Sequence, residues 1–249
     1  MQPDLQQAVR QAARLLGSSR RIAVLSGAGI SVSSGIPDFR SQDGLYSDPS
    51  NIGIFEIGEF IREPERFFRF AARFYQVLMD ARPNTAHEEI ARWQQAAQVE
   101  VITQNIDDLH EQAGAQQVYH LHGSYRTSRC MRCGKMRPTD ELLDDVARGC
   151  VPLCHCGGIL KPEIVFFGEQ LPLAAWSAAQ RAIAAADVLL VVGTSLVVYP
   201  ANMLPRMRSP STAMIVVNRD PTPADGEAEV VIRGDIVEVF GAFRSVLGG

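Results

Sequence analysis

Two groups of residues, far apart in the chain, carry side chains and turns suited to chemistry. The first is Ser26-Gly27-Ala28-Gly29-Ile30-Ser31 with Val32, continuing to Gly35-Ile36-Pro37-Asp38-Phe39-Arg40. The second is Gln104-Asn105-Ile106-Asp107, followed by Leu121-His122-Gly123. A glycine-rich turn leaving an apolar run presents bare backbone N–H groups to a phosphate and lets backbone approach a ligand closely. An amide, a carboxylate and a histidine at segment ends are tools for sugar chemistry and proton transfer. Together they point to an enzyme that opens a dinucleotide, beyond one that only holds it.

Each group also has a plainer reading. Gly-Ala-Gly serves any strand-to-helix turn, Asp107 can cap the helix that follows it, and His122-Gly123 can be a strand end. The glycine motif departs from the dinucleotide fingerprint of hydride-transfer enzymes. Its third glycine comes late, at Gly35, and no acid ends the next strand to hold a ribose. The loop after the turn brings an acid, a ring and a guanidinium together: Phe39 can screen a reacting sugar from water, and Arg40 can grip a phosphate bidentately. Gly193-Thr194-Ser195 is a second candidate anion turn, and Asn218 closes a later strand.

The elements that must position these groups follow from hydrophobic patterning. Residues 5–16 repeat apolar side chains at helical spacing. Short apolar runs at 21–25, 99–103, 118–121, 164–167, 188–193, 213–218 and 229–232 read as buried parallel strands, because most are continuous in Val, Ile and Leu. Helical stretches separate them at 64–80, 85–97, 107–113, 173–186 and 235–247. This alternation predicts a doubly wound α/β sheet. Two stretches break the rhythm. Residues 41–58 read as a mobile loop covering the cofactor, and residues 128–158 as a small inserted module.

That module contains all five cysteines of the chain. Cys130-x-x-Cys133 and Cys154-x-Cys156 have the pattern of a four-thiolate zinc site, structural because no position is left open. The second pair has one spacer residue where two are usual, so Cys150 rivals Cys154. An odd cysteine number with no export signal argues against a disulfide framework.

The whole chain of 249 residues suits one large domain carrying an insert, with 46% hydrophobic and 21% charged residues. A net charge of −4 gives no global pull toward nucleic acid or anionic membranes. No apolar run is long enough to span a bilayer. A cytoplasmic monomer, without membrane or direct nucleic-acid partners, is the expectation.

In order along the chain, Gly27-Ala28-Gly29-Ile30-Ser31, Gly35 to Arg40, Gln104 to Asp107, His122-Gly123, Phe167-Gly168-Glu169, Gly193-Thr194-Ser195 and Asn218 resemble the signature of the sirtuins. The resemblance spans most of the chain. It implies an NAD-dependent protein-lysine deacylase with a Rossmann-like NAD-binding domain (1–40, 85–127 and 159–249), a cofactor loop and helical insert (41–84) and a zinc module (128–158). NAD and an acetylated-lysine protein enter from opposite sides of a cleft. It implies that His122 is the base activating a ribose hydroxyl, Asn105 orients ribose or water, Ile106 and Asp107 line the nicotinamide pocket, and Gln104 contacts ribose. Asn218 reaches the adenosine ribose, and Asp235-Ile236 pack on adenine. Val165-Phe166-Phe167-Gly168-Glu169 and Val197 hold the peptide by strand addition. In the implied reaction the acyl oxygen attacks the anomeric carbon, nicotinamide leaves, and free lysine and O-acetyl-ADP-ribose result. Sirtuins that prefer succinyl or malonyl lysine carry Tyr-x-x-Arg. Here the third residue after Tyr75 is Leu78, which favours acetyl or longer uncharged groups. Three rivals stand beside this reading: a protein mono-ADP-ribosyltransferase, a nicotinamide-dependent oxidoreductase, and a catalytically silent NAD sensor.

Overall fold

The computed structural model describes residues 3–39 and 41–247. Among them the strands are β1 (Arg21–Ser26), β2 (Gln98–Thr103), β3 (Val118–His120), β4 (Gly123–Cys130), β5 (Met136–Pro138), β6 (Leu160–Ile164), β7 (Val188–Val192), β8 (Ala213–Val217) and β9 (Val230–Ile232). The α-helices are α1 (Pro3–Ser18), α2 (Ile57–Arg62), α3 (Pro64–Asp80), α4 (Thr85–Trp93), α5 (Leu109–Gln112), α6 (Leu143–Ala147), α7 (Leu173–Ala185) and α8 (Ile236–Leu247). None is long and apolar enough to cross a membrane.

The chain divides into two compact units. The larger comprises Met1–Ser34, Arg82–Leu121 and Leu173–Gly249. Its six-stranded sheet has the order β3-β2-β1-β7-β8-β9, every pairing parallel. Successive side chains of a strand point to opposite faces, so both faces need cover. Val24, Val101, Leu190 and Ile215 face a core completed by Val9 and Leu16 of α1, Ile90 of α4 and Phe240 of α8. Ala23, Leu25, Leu189 and Val191 face the opposite core with Ala179 and Ile183 of α7. Each Val, Leu, Ile or Phe among them contributes about 1.5–3 kcal/mol when withdrawn from water. The sheet order reverses between β1 and β7, and ligands of doubly wound sheets bind at that switch, beyond the carboxyl ends of the strands.

The smaller unit comprises Gly35–Ala81 and His122–Pro172. Residues 41–81 and the whole cysteine segment 128–158 fall within it. A three-stranded antiparallel sheet, β5-β4-β6, supports the cysteines, and α3 buries Phe67, Phe68, Phe74 and Tyr75. Here one expectation is corrected. Residues 164–167 do not form a parallel strand: regular pairing runs from Leu160 to Ile164 and is antiparallel to β4. Beyond it Phe167 makes only an isolated bridge to Glu56. Apolar character alone does not distinguish a core strand from a buried irregular turn.

Candidate active site

The glycine turn follows β1. Gly27 N–H donates to the Val192 carbonyl at 3.1 Å, and Gly29 N–H to the Gly193 carbonyl at 2.8 Å. A Cβ on Gly27 would lie 2.6 Å from Thr194 Cβ, and one on Gly29 would lie 2.8 Å from Gly193 Cα. Gly193 has φ +62°, and its own Cβ would come within 2.4 Å of Ile30 N. The turns after β1 and β7 therefore interlock backbone to backbone. Gln104, beyond β2, donates through Nε2 to Thr194 Oγ1 at 3.0 Å and joins the third strand end to this pair. Thr194 is buried, Ser195 is exposed, and Val32 lies at the surface.

Beside the turn sits a buried polar bridge. Asn105 Nδ2–H donates to Ser31 Oγ at 3.1 Å, and Ser31 Oγ–H donates to Asp107 Oδ2 at 3.0 Å. The other carboxylate oxygen of Asp107 accepts the Leu109 N–H at 3.1 Å, although the N-cap position of α5 is Asp108 and not Asp107. Burial pushes the Asp107 carboxyl above the usual aspartate range, against the hydrogen bonds from Leu109 and Ser31 and the charge of His120. Ile106 stays half-buried between them.

A second polar layer lies behind the turn. Asn84 caps α4, accepting from Ala86 N–H at 2.9 Å, while its Nδ2–H donates to the Ile30 carbonyl at 2.8 Å and Ser34 Oγ at 2.9 Å. Ser26 Oγ meets His110 Nε2 at 3.0 Å, and the His110 ring stands edge-on to His87 at 4.9 Å. Sequence reasoning missed Ser31, Asn84 and this histidine pair as supports. The Asn-x-x-His capping pattern at Asn84 was the available signal.

Asn218 ends β8 buried, its side chain donating to the Asp220 carbonyl at 2.8 Å. Asp235 caps α8 by accepting from Val237 N–H, and Ile236 belongs to the core. Arg40 lies outside the described residues. The donor set of the larger unit fits a dinucleotide: glycine turns converge at the sheet's switch point, with amide, hydroxyl and carboxylate groups flanking them.

In the smaller unit, Gly123 has φ +71°, and a Cβ there would overlap the Glu163 carbonyl oxygen at 1.9 Å. This glycine fixes the start of β4, and the half-buried His122 with it; the His122 carbonyl accepts from Val165 N–H at 2.8 Å. Phe39 stacks edge-on against Phe55 at 5.7 Å. In the expected peptide segment the Phe166 N–H is taken by Glu169 Oε2 at 2.8 Å and the Phe167 N–H by the Phe55 carbonyl at 2.7 Å. The Glu169 N–H is likewise taken, by the Phe166 carbonyl at 3.0 Å; in the larger unit Val197 is exposed. Lys161, also missed, buries its ammonium against Glu169 at 2.8 Å and over the Phe166 ring at 4.2 Å, fixing this turn. Tyr75 and Leu78 are both buried.

Cys130, Cys133, Cys154 and Cys156 bring their sulfurs within 4.8 Å of one another, which decides for Cys154 over Cys150. Cys130 and Cys156 stand 3.4 Å apart, and Cys133 and Cys154 3.8 Å. Four thiolates about 2.3 Å from a tetrahedral zinc lie about 3.8 Å apart, so the set is positioned to bind that ion. The backbone N–H of Cys133, helped by that of Arg132, pulls the Cys130 thiol down to about 6, toward the thiolate that metals take.

Comparison with known proteins agrees with this geometry. The model of the Sir2 family matches residues 27–200. A Mycobacterium tuberculosis NAD-dependent protein deacylase is 44% identical over 219 residues, covering 86% of this chain and 92% of that protein. A Thermotoga maritima NAD-dependent protein deacetylase is 41% identical over 227 residues, covering 90% and 92%. A structure solved for the mechanism and regulation of Sir2 enzymes superposes with a TM-score of 0.91 at 38% identity, covering 98% of each chain. A Sir2 variant bound to deacetylated p53 peptide and 3'-O-acetyl-ADP-ribose gives 0.90 at 38% identity, covering 95% and 97%. The switch-point glycine turns, the Ser31 bridge and the four-cysteine cluster thus sit in a chain that belongs to the Sir2 family.

Proposed function

We propose that this chain is an NAD-dependent protein-lysine deacetylase, consuming NAD and an acetyl-lysine protein to give nicotinamide, O-acetyl-ADP-ribose and free lysine. The observation that carries the reading is the bonded set Ser31, Asn105 and Asp107 beside the interlocked glycine turns, in a chain of the Sir2 family. Gly27, Ala28, Gly29, Gly193, Thr194 and Ser195 form the phosphate cradle, and Gln104 and Asn218 hold the riboses. Asn105, Ile106 and Asp107 receive the nicotinamide end, where the Asp107 carboxylate accepts the carboxamide N–H donors. NAD supplies the activated anomeric carbon, whose substitution depends on placement of charge and dipole more than on a strong nucleophile. His122 acts as general base on a ribose hydroxyl. Phe39 screens the sugar from water, Gly168-Glu169 and Val197 hold the peptide, and the four-cysteine zinc is structural. With Leu78 where a carboxylate-binding arginine would stand, acetyl and uncharged acyl groups are the preferred cargo. A cytoplasmic monomer completes this reading; the net charge of −4 gives no pull toward anionic membranes.

Mass spectrometry of NAD, protein and an acetyl-lysine peptide tests the reading. Nicotinamide, deacetylated peptide and O-acetyl-ADP-ribose are expected in equal amounts. Label transferred from NAD to protein without deacetylation would favour the ADP-ribosyltransferase, and no NAD consumption the silent sensor. His122→Ala is expected to stay folded and zinc-loaded while turnover falls by about 10²–10⁴; substantial remaining turnover removes His122 from the base role.

A further inference from the structure

His120 ends β3 in the larger unit, with both ring nitrogens engaged. Nδ1 lies 3.2 Å from the Asn105 carbonyl oxygen, and Nε2 lies 2.6 Å from Glu111 Oε1. Both neighbours are acceptors. A neutral imidazole carries one N–H and would turn a lone pair toward one of them; an imidazolium satisfies both. Glu111 is 40% exposed and His120 18%, so water favours the ionised carboxylate while the ring is largely withdrawn from solvent. The Asn105 carbonyl belongs to the same residue whose side chain donates to Ser31, which in turn donates to Asp107. The ring therefore grips the backbone end of the bridge that the Ser31 hydroxyl completes at its side-chain end.

We propose that His120 and Glu111 are positioning residues: as an ion pair they clamp the Asn105 carbonyl and set the 105–107 segment for the nicotinamide end of NAD. The inference rests on the deacetylase reading for the identity of that ligand, and on the hydrogen-bond geometry alone for the clamp.

The surroundings agree. The titratable groups facing the ring are Glu111 and His110 from α5 and Asp107 from the preceding loop, while Asp108 acts on Asp107. β2 presents Thr103 in register beside it, and Arg181 of α7, which packs on β3, acts on Tyr119. Burial opposes the charge on His120, but the hydrogen bond and charge of Glu111, then the Asn105 carbonyl and Asp107, outweigh it and raise its pKa. A group raised in this way holds its contribution in acid and loses it as pH climbs through the folded value. NAD use should therefore weaken through KM as pH climbs through that raised value, since the clamp orders a binding segment and takes no proton from substrate.

The test pairs histidine ring NMR with NAD kinetics across pH 6–9, on wild type and Glu111→Gln. The glutamine still accepts from Nε2–H but brings no charge. His120 in wild type is expected to titrate above ~6.5 and to carry two ring protons below its titration. Glu111→Gln is expected to lower that value and carry the rise in NAD KM to lower pH with it. Above the titration, the loss of one charge-assisted bond raises KM about fivefold with a smaller change in kcat. His120→Gln, which keeps one donor, is expected to flatten the KM profile at the raised level. His120 titrating at or below ~6.5, or an unmoved KM profile in Glu111→Gln, overturns the clamp. If wild type neither binds nor consumes NAD, the deacetylase reading fails and the ligand assigned here falls with it, while the NMR titration still decides the charge of His120.

Discussion

Replacing Ser31 by alanine gives the sharpest test of how the candidate site is built. The hydroxyl is fully buried, accepts from Asn105 and donates to Asp107. Alanine fits the space but leaves a buried amide N–H and a buried carboxylate oxygen without that partner. An orphaned buried group costs about 1–3 kcal/mol, and more when charged. Two orphans, with a water partly filling the vacated space, give about 2–4 kcal/mol of lost stability. The carboxyl of Asp107 also loses one of the bonds that hold it down against burial, so its pKa rises further. Urea unfolding should show the stability loss. NAD titration should show weaker binding. Ser31→Thr, which keeps the hydroxyl, should lie between alanine and wild type. Alanine protein with wild-type stability and wild-type NAD affinity would refute the bridge as the element that orders residues 105–107.

Other expectations follow from the rest of the molecule. Metal analysis should find one zinc per chain, retained in Cys150→Ser and lost in Cys133→Ser, with the smaller unit unfolding when a chelator removes it; zinc loss in Cys150→Ser would break the assigned ligand set. Burial pulls His87 down to about 4 and His110 in the same direction, so stability held above the unfolded value near ~6.5 is lost as pH falls toward 4. His87 alone should remove about 2 kcal/mol between pH 7 and pH 5. Urea unfolding of wild type and His87→Gln at both pH values checks this, and equal acid losses in the two proteins would exclude His87 as the source.

The sequence disclosed what depends on local composition and withheld what depends on distant packing. Continuous runs such as Val188–Val192 and Ala213–Val217 are strands because a two-sided buried sheet admits little else. The helix Pro64–Asp80 was legible to its ends from an initiating proline and an amphipathic face. β4 and β6 were hidden. Gly-Ser-Tyr-Arg-Thr-Ser-Arg-Cys is polar, and Leu-Lys-Pro-Glu-Ile places a proline and two charges in five residues. Such strands survive because their sheet is small and Lys161 finds Glu169 and an aromatic face. At the site, motif residues were readable by type. Ser31, Asn84, His110 and His120 act only through partners brought near by the fold, and no local spacing announces those partners.

The late third glycine, which set this chain apart from the dinucleotide fingerprint, has a physical reason in the fold. In that fingerprint the third glycine lets a helix pack closely on the strand before it. Here the turn after β1 continues into two short 3-10 turns, Ala28–Ile30 and Val32–Ser34, so no long helix needs that clearance. The close approach is instead made across the sheet's switch point, where Gly27 and Gly29 meet Gly193 and Thr194. One glycine of the cradle has moved to a different strand. Its φ of +62° costs about 1–2 kcal/mol for any other residue, before the overlap with Ile30 N is counted. The two turns then behave as one element, and a Cβ on either displaces the other. Under the proposed function, that coupling makes a phosphate cradle whose shape is set by the backbone. On the same reading the reacting end of the ligand falls to residues 105–107, where the buried Asn105 and Asp107 can be tuned without disturbing the cradle.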